Sequence, residues 1–215
     1  MARKKKEDAQ KTRQQLIEAA IVQFATRGVA NTTLTDIADA AQVTRGAVYW
    51  HFSSKAEIFN AIWEQQQPLR EIIRDRLLLS ENDDPLLILR EQFITVLQYI
   101  AHEPRQWALL QILYHKCEFN SDMISECEIR NRIGLSDQTL RITLEKCRAR
   151  NSLSPQVNID LAVIVLHGFF SGIIKNWLMD SDSINLYQQA PALVDNIMAT
   201  LQIARVSPVF YEAAS

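Results

Sequence analysis

Residues 31–55 contain two short helical segments separated by only a few residues, and this arrangement restricts the fold more than any other feature. Threonines in NTTLTDIADAAQV are candidate N-caps for a helix over 34–41. Its apolar stripe has helical spacing and comprises Leu34, Ile37, Ala38 and Ala41. Thr44 caps a second helix over 45–51. Two short helices joined by a tight turn, with another helix before them, predict a helix-turn-helix.

The flanking segments are also predicted to be helical. A helix over 8–27 is indicated by an apolar stripe of Leu16, Ile17, Ala20, Ile21 and Phe24. Ser54 and Glu57 form a capping box that opens a fourth helix, which we expect to run about 25 residues, to Leu79. With only 5 Gly and 6 Pro in 215 residues, the chain is predicted to be all-α. Later helices are expected near 84–102, 104–118, 122–150, 158–179 and 184–204.

Charge is divided unevenly along the chain. Residues 1–55 hold nine Lys or Arg against five Asp or Glu, whereas residues 56–215 hold fourteen against twenty. A basic end on an acidic body indicates that this end meets a polyanion. An ordinary solvated tail accounts for the stretch RKKK equally well.

The second short helix has the side chains of a recognition helix. In TRGAVYWHFSSK, Val48 and Phe52 are four residues apart and face the core. Arg45 stands at the helix N-terminus, where recognition helices touch base edges, and can donate two hydrogen bonds to guanine O6 and N7. Gly46 costs roughly 1 kcal/mol in a helix interior relative to Ala, which makes sense where DNA approaches closely.

Tyr49 can reach a phosphate or a thymine methyl group, and His51 and Lys55 are predicted phosphate contacts. A purely structural interpretation treats Tyr49, Trp50 and His51 as core aromatics with polar tips. The complete set of predicted DNA contacts is Thr33, Thr44, Arg45, Gly46, Tyr49, Trp50, His51 and Lys55.

The stretch TTLTDIADAAQVTRGAVYWHFSSKAEIF resembles the DNA-binding domain of the TetR family of bacterial transcriptional regulators. The segments RKKKEDAQKTRQQLI, ALLQILYHKCEF and SGIIKNWLM are similar to the AcrR-like repressors of multidrug efflux pumps. The resemblance implies a basic arm over 1–9, a DNA-binding domain over 10–70, and a ligand-binding and dimerisation domain over 71–215. It also implies a homodimer that binds a palindromic operator and releases it when a small molecule binds.

The run LAVIVLHGFFSGII carries no charged residue on any helical face. Because a helix that is apolar all round is buried on all sides, one side is expected to face a partner. Together with the last helix it predicts a four-helix dimer interface, although a core within one chain remains the alternative. The predicted interface residues are Leu161, Val165, Gly168, Gly172, Val194 and Met198.

The C-terminal part is rich in large aromatic residues, most of which belong to an ordinary core. Pockets combine apolar walls with a few polar groups. The predicted ligand-binding residues are Trp63, Gln67, Phe93, Leu97, Tyr114 and Phe170. Apolar ligands, often aromatic or cationic, suit such walls.

Enzyme motifs are lacking in the sequence. The four histidines are scattered, and no metal-binding spacing, phosphate loop or nucleophile elbow occurs, so neither a catalyst nor a metal or cofactor is expected. Three cysteines without a pairing pattern and the lack of a signal peptide favour the cytoplasm. The stretch 161–174 is too short to span a bilayer, so no membrane partner is expected. A silencer or activator without a small-molecule ligand remains the alternative to a ligand-responsive repressor.

Overall fold

The computed structural model describes residues 2–77, 83–133 and 137–203. Within these ranges the chain forms 11 α-helices, a 3₁₀ turn and a π-helical segment, and it contains no β-strand. The all-α prediction is therefore confirmed. The C-terminal tail beyond Ile203 and the expected end of the fourth helix at Leu79 lie outside the described residues.

The N-terminal helices follow the sequence pattern closely. They are α1 (Ala2–Arg27), α2 (Leu34–Ala40), α3 (Arg45–His51) and α4 (Lys55–Glu64). α3 has the predicted bounds, and α2 ends one residue earlier than predicted. α1 begins at Ala2 rather than residue 8, so the basic segment predicted as an arm over 1–9 is part of this helix.

The prediction that the fourth helix runs about 25 residues is wrong. α4 ends at Glu64 after 10 residues, and α5 (Leu69–Ile73) follows, with a 3₁₀ turn at Arg74–Arg76. Pro68 supplies the physical reason. Its ring lacks an N–H group, and it disfavours helical backbone in the residue before it.

The remaining helices are α6 (Pro85–His102), α7 (Pro104–Gln111), α8 (Glu126–Arg132), α9 (Asp137–Ala149), α10 (Ile159–Met179) and α11 (Leu186–Ile203). A π-helical segment, Ile112–Lys116, continues α7. The single helix expected over 122–150 is thus divided into α8 and α9. Gly134 follows Ile133 in the sequence, a residue type that commonly stands just beyond a helix end.

The chain divides into two compact units that are each discontinuous in sequence, although the first break, between Leu69 and Arg70, lies beside the boundary expected at residue 70. Unit 1 combines Met1–Leu69 with Tyr99–Gly134, and unit 2 combines Arg70–Gln98 with Leu135–Ser215. In unit 1, α1 packs against α2, α4, α7 and the π-helical segment. In unit 2, α10 packs against α9 and α11. The helices of the predicted helix-turn-helix domain therefore share one core with α7 and the π-helical segment.

The loop between α1 and α2, residues 28–33, is held from two sides. The Val29 N–H donates to the carbonyl of Lys116 at 2.8 Å, and Gly28 adopts a φ of +86° that favours glycine. The Lys55 Nζ donates to the carbonyls of Ala30 at 3.0 Å and Thr32 at 2.9 Å. Lys55 thus stabilises this loop from the first turn of α4.

We expect Lys55→Met to lower the free energy of unfolding by about 1.5–3 kcal/mol, because it removes charge-assisted hydrogen bonds to two carbonyls. Urea denaturation followed by circular dichroism measures this. Lys11→Met is the matched control, since Lys11 is an exposed lysine of α1, and its effect should stay within about 0.5 kcal/mol. Equal effects of the two substitutions would contradict a structural role for Lys55.

Candidate nucleic-acid interface

Local hydrogen bonds cap the N-terminal ends of both α2 and α3. The Thr33 hydroxyl accepts from the Asp36 N–H, and the Asp36 carboxylate accepts from the Thr33 N–H at 2.8 Å. Hydrogen bonds that the Asp36 carboxylate accepts from the Thr33 hydroxyl, at 2.7 Å, from the Thr33 N–H and from Arg27 lower the pKa of Asp36 to about 2. The Thr44 hydroxyl accepts from the Ala47 N–H at 3.2 Å and caps α3. Two of the predicted DNA contacts therefore also serve as helix caps.

α3 has one buried face and one exposed face. Val48 and the adjoining Phe52 are buried, as the sequence predicts. Tyr49 is 49% exposed and Trp50 is 71% exposed, so neither is a core aromatic. Large aromatic side chains that are exposed to water in the isolated chain are typical of a surface that binds a partner.

Arg45 and Tyr49 form a pair on the exposed face. The Arg45 Nη2 donates to the Tyr49 hydroxyl at 3.3 Å, and the guanidinium carbon lies 5.5 Å from the centre of the Tyr49 ring. The pair raises the pKa of Arg45, so the guanidinium stays charged. Tyr49 thereby limits the orientations of a side chain that has the donors to read a guanine.

Gly46 is not required by the interior of the protein. A Cβ atom built at this position meets only the Thr44 Oγ1, at 3.9 Å, and the backbone φ is ordinary. Packing among the described residues therefore does not explain why a helix-destabilising glycine stands at position 46. Close approach of another molecule to this part of α3 would explain it.

The remaining predicted DNA contacts, His51 and Lys55, are partly engaged within the protein. Lys55 binds the loop at residues 28–33, as described above. His51 is half-buried and lies against Trp50, with ring centres 4.4 Å apart. Burial, and secondarily Arg13, lowers the pKa of His51, which favours the neutral imidazole.

The six predicted ligand-binding residues are divided between the two units. In unit 1, Trp63 is buried near the end of α4, Tyr114 is half-buried on the π-helical segment, and Gln67 is exposed. The Trp63 Nε1 is buried and has no hydrogen-bond acceptor among the described residues. In unit 2, the rings of Phe93 and Phe170 lie 4.1 Å apart, and Leu97 is fully buried.

The predicted interface residues do not share one surface. Leu161, Val165 and Gly168 are exposed on α10, and Ile164 on the same helix is 63% exposed. Gly172 is half-buried, and a Cβ atom at Gly168 or Gly172 has open space around it.

Val194 and Met198 on α11 are instead buried within unit 2. The apolar stripe of the last helix packs inside its own unit, so Val194 and Met198 do not face outward. The exposed residues of α11 include Ala192, Asn196 and Ala199, which helical apolar periodicity does not single out.

α10 has 21 residues and is apolar enough that length and composition alone would let it cross a bilayer. This corrects the expectation that the apolar stretch is too short. The core helix of a soluble protein passes the same test, and α10 packs against α9 and α11 within unit 2.

Across the described ranges, no cluster of three or more potential metal ligands occurs. Burial raises the pKa of both Cys117 and Cys147 to about 11.

Two family models match the chain. Residues 16–62 match the bacterial regulatory proteins of the tetR family, and residues 84–203 match the C-terminal region of MAATS-type transcriptional repressors. The chain belongs to the TetR family of transcriptional regulators. Members of this family bind DNA operators and dimerise. The match to its DNA-binding model includes all of α2 and α3.

Named relatives of this TetR-family chain regulate transcription. It is 53% identical over 198 residues to the probable acrEF/envCD operon repressor of Escherichia coli K12, covering 92% of this chain and 90% of that protein. It is 37% identical over 191 residues to the regulator AcrR of Shigella flexneri, covering 88% and 89%. A solved structure of NalD, the secondary repressor of the MexAB-OprM multidrug efflux pump in Pseudomonas aeruginosa, matches with a TM-score of 0.73 and 32% identity, covering 91% and 98%.

We expect Arg45→Ala to weaken binding to the operator by about 1–3 kcal/mol and to relax preference at one base pair per half-site, because a bidentate guanine contact is lost. Competition with duplexes carrying single base-pair changes measures this. Tyr49→Phe, which keeps the ring but removes the hydroxyl that accepts from Arg45, should give a smaller loss at the same base pair. Arg70→Ala changes an exposed arginine outside the helix-turn-helix and serves as control. Equal loss on every DNA sequence would show that Arg45 contacts only phosphate.

Proposed function

We propose that this chain is a cytoplasmic, ligand-responsive repressor that binds a palindromic operator as a homodimer and controls a multidrug efflux operon. Relatives that cover about nine tenths of the chain are named as repressors of such systems. The observation that carries DNA binding is the exposed face of α3. There Arg45 is held by Tyr49, and Gly46 leaves space that no other side chain among the described residues fills.

The DNA upstream of the gene for this chain is the first fragment to test. The purified protein should protect a palindrome in that fragment from nuclease digestion, with half-sites about one helical turn apart. A reporter placed behind the fragment should be repressed by the chain and released by pump substrates. Repression that no pump substrate releases would favour a silencer without a ligand, and increased expression would favour an activator.

Dimerisation is supported by the outward side of α10. Leu161, Ile164 and Val165 expose large aliphatic side chains there, and a Cβ atom built at Gly168 or Gly172 on the same helix meets no neighbouring side chain among the described residues. Small residues allow a second helix to approach closely, and pairing through one repeated patch gives a two-fold dimer. The same two-fold symmetry would match a palindrome.

Gly168→Arg should therefore give a folded monomer, because the open space around Gly168 admits a side chain within the subunit but a charge disfavours burial against a partner. Sedimentation should report about 24.6 kDa, against twice that mass for the unmodified protein. Gln138→Arg, an exposed position on α9, is the charge-matched control and should remain dimeric. A stable monomer of the unmodified protein at micromolar concentration would refute the dimer.

Ligand binding is supported by Trp63. A buried indole N–H without an acceptor costs about 1–3 kcal/mol, and a ligand with an acceptor group removes that cost. α4 carries Trp63 near its end and Lys55 in its first turn, roughly 12 Å apart along the axis. Since Lys55 also holds the loop before α2, displacement of α4 by a ligand would move the support of the DNA-binding helices.

This coupling predicts that ligand and operator weaken each other by the same factor, about 5- to 150-fold, because linkage is reciprocal. Titration of tetraphenylphosphonium, an apolar cation, into the free protein and into the operator complex measures the factor. Trp63→Phe keeps an aromatic ring but removes the N–H group, so ligands with an acceptor should lose affinity, whereas tetraphenylphosphonium, which has none, should not. Equal affinities in the two titrations would refute coupling through α4 for this ligand.

A further inference from the structure

A cleft of 330 Å³ opens in unit 1 where α1 passes the C-terminal end of α3. Most of its wall comes from the first half of α1, and the rest comes from α3 and the end of α4. The lining residues are Lys6, Ala9, Gln10, Arg13, Gln14, Trp50, His51 and Gln65.

The lining contains cations and hydrogen-bonding groups but no carboxylate. The Arg13 guanidinium carbon lies 4.8 Å from the centre of the buried Phe52 ring, which holds this cation at the cleft. Lys6 is exposed at the same wall. Glu7 and Asp8 are on the same part of α1, next to Lys6 and Ala9 in the sequence, but neither lines the cleft. Glu18, further along α1, accepts from Gln14 at 2.9 Å and pairs with Arg105 at 3.1 Å.

Trp50 and His51 form the opposite wall. Their rings meet edge to face, and the Trp50 ring remains largely exposed. The His51 imidazole has ring nitrogens that can donate or accept a hydrogen bond. This wall therefore offers an apolar edge and a polar group, while Lys6 and Arg13 of α1 supply positive charge.

We propose that this cleft binds backbone phosphates of the DNA duplex beside the bases that α3 reads, so that α1 widens the DNA contact of each subunit. The inference rests on the proposed function, because it takes the Arg45 end of α3 to be the end at the bases. It adds a sequence-independent binding site that is formed by α1 rather than by the helix-turn-helix alone.

The length of α3 places the cleft beside the rim of the major groove, where the DNA phosphates lie. His51 lies six residues after Arg45, about 9 Å along the helix axis. The major groove is about 12 Å wide. With Arg45 at the base edges, the Trp50 and His51 end of α3 therefore reaches the rim of the groove.

A polyanion suits this surface better than a small anion. Residues 3–13 include six Lys or Arg against two Asp or Glu. The cleft is open, so a single phosphate would compete with water for exposed cations. A duplex instead presents phosphates in a row, and each cation that neutralises one releases counterions.

The test uses a random-sequence 30-base-pair duplex, because a phosphate contact does not depend on base sequence. Affinities measured between 50 and 200 mM salt give the slope of log K against log salt. Lys6→Gln and Arg13→Gln should each reduce this slope by about two in a dimer, since one phosphate contact per subunit is worth about 0.9. Lys11→Gln makes the same change of charge on α1, but Lys11 lines a different cleft, with Ala40 and Ala41, so the slope should not change.

The outcomes separate the cleft from the general charge of α1 and from the proposed function. An unchanged slope in Lys6→Gln, whose side chain is exposed, would overturn the inference even if Arg13→Gln disturbed packing on Phe52. An equal fall in all three variants would also overturn it, because the effect would then be general charge. Failure of the unmodified protein to prefer its upstream fragment over the random duplex would refute the proposed function. Such preference together with unchanged slopes would refute only the cleft.

Discussion

The backbone hydrogen bond between Val29 and Lys116 is the interaction on which the arrangement of unit 1 depends. It joins the loop before α2 to the end of the π-helical segment, more than 80 residues further along the chain. Lys55 holds the other side of that loop from the first turn of α4. The start of α2 is therefore set by two distant parts of the chain, and the capping box at Thr33 completes it locally.

Unit 1 is accordingly more than a helix-turn-helix. Arg105 on α7 pairs with Glu18 on α1 and donates to Gln66, whose own side chain donates to the Ile62 carbonyl at 2.5 Å. Asn60 on α4 bonds the backbone of Asp122 and Ile124. These contacts join α1 and α4, which flank the helix-turn-helix, to α7 and to the segment that follows it.

The sequence predicts those features that depend on neighbouring residues. The bounds of α3, the caps at Thr33, Thr44 and Ser54, and the burial of Val48 follow from local spacing and local hydrogen bonds. The sequence predicts Lys55 as a DNA contact but not its hydrogen bonds to the loop before α2, because these partners lie 25 and 23 residues away. The fourth helix was predicted too long because its apolar pattern was extended across Pro68, whose missing N–H group is a local signal of a helix end. Val194 is buried within its own unit, and the sequence could not show this because periodicity identifies an apolar face but not which neighbour covers it.

The exposed aliphatic stripe of Leu161, Ile164 and Val165 limits the concentration at which single, unpaired subunits stay in solution. Apolar side chains in a row promote precipitation when nothing covers them. A subunit that covers the stripe by pairing gains stability by mass action, so its melting temperature rises with its concentration. Solubility and heat resistance are then properties of the amount of protein made, as well as of its sequence.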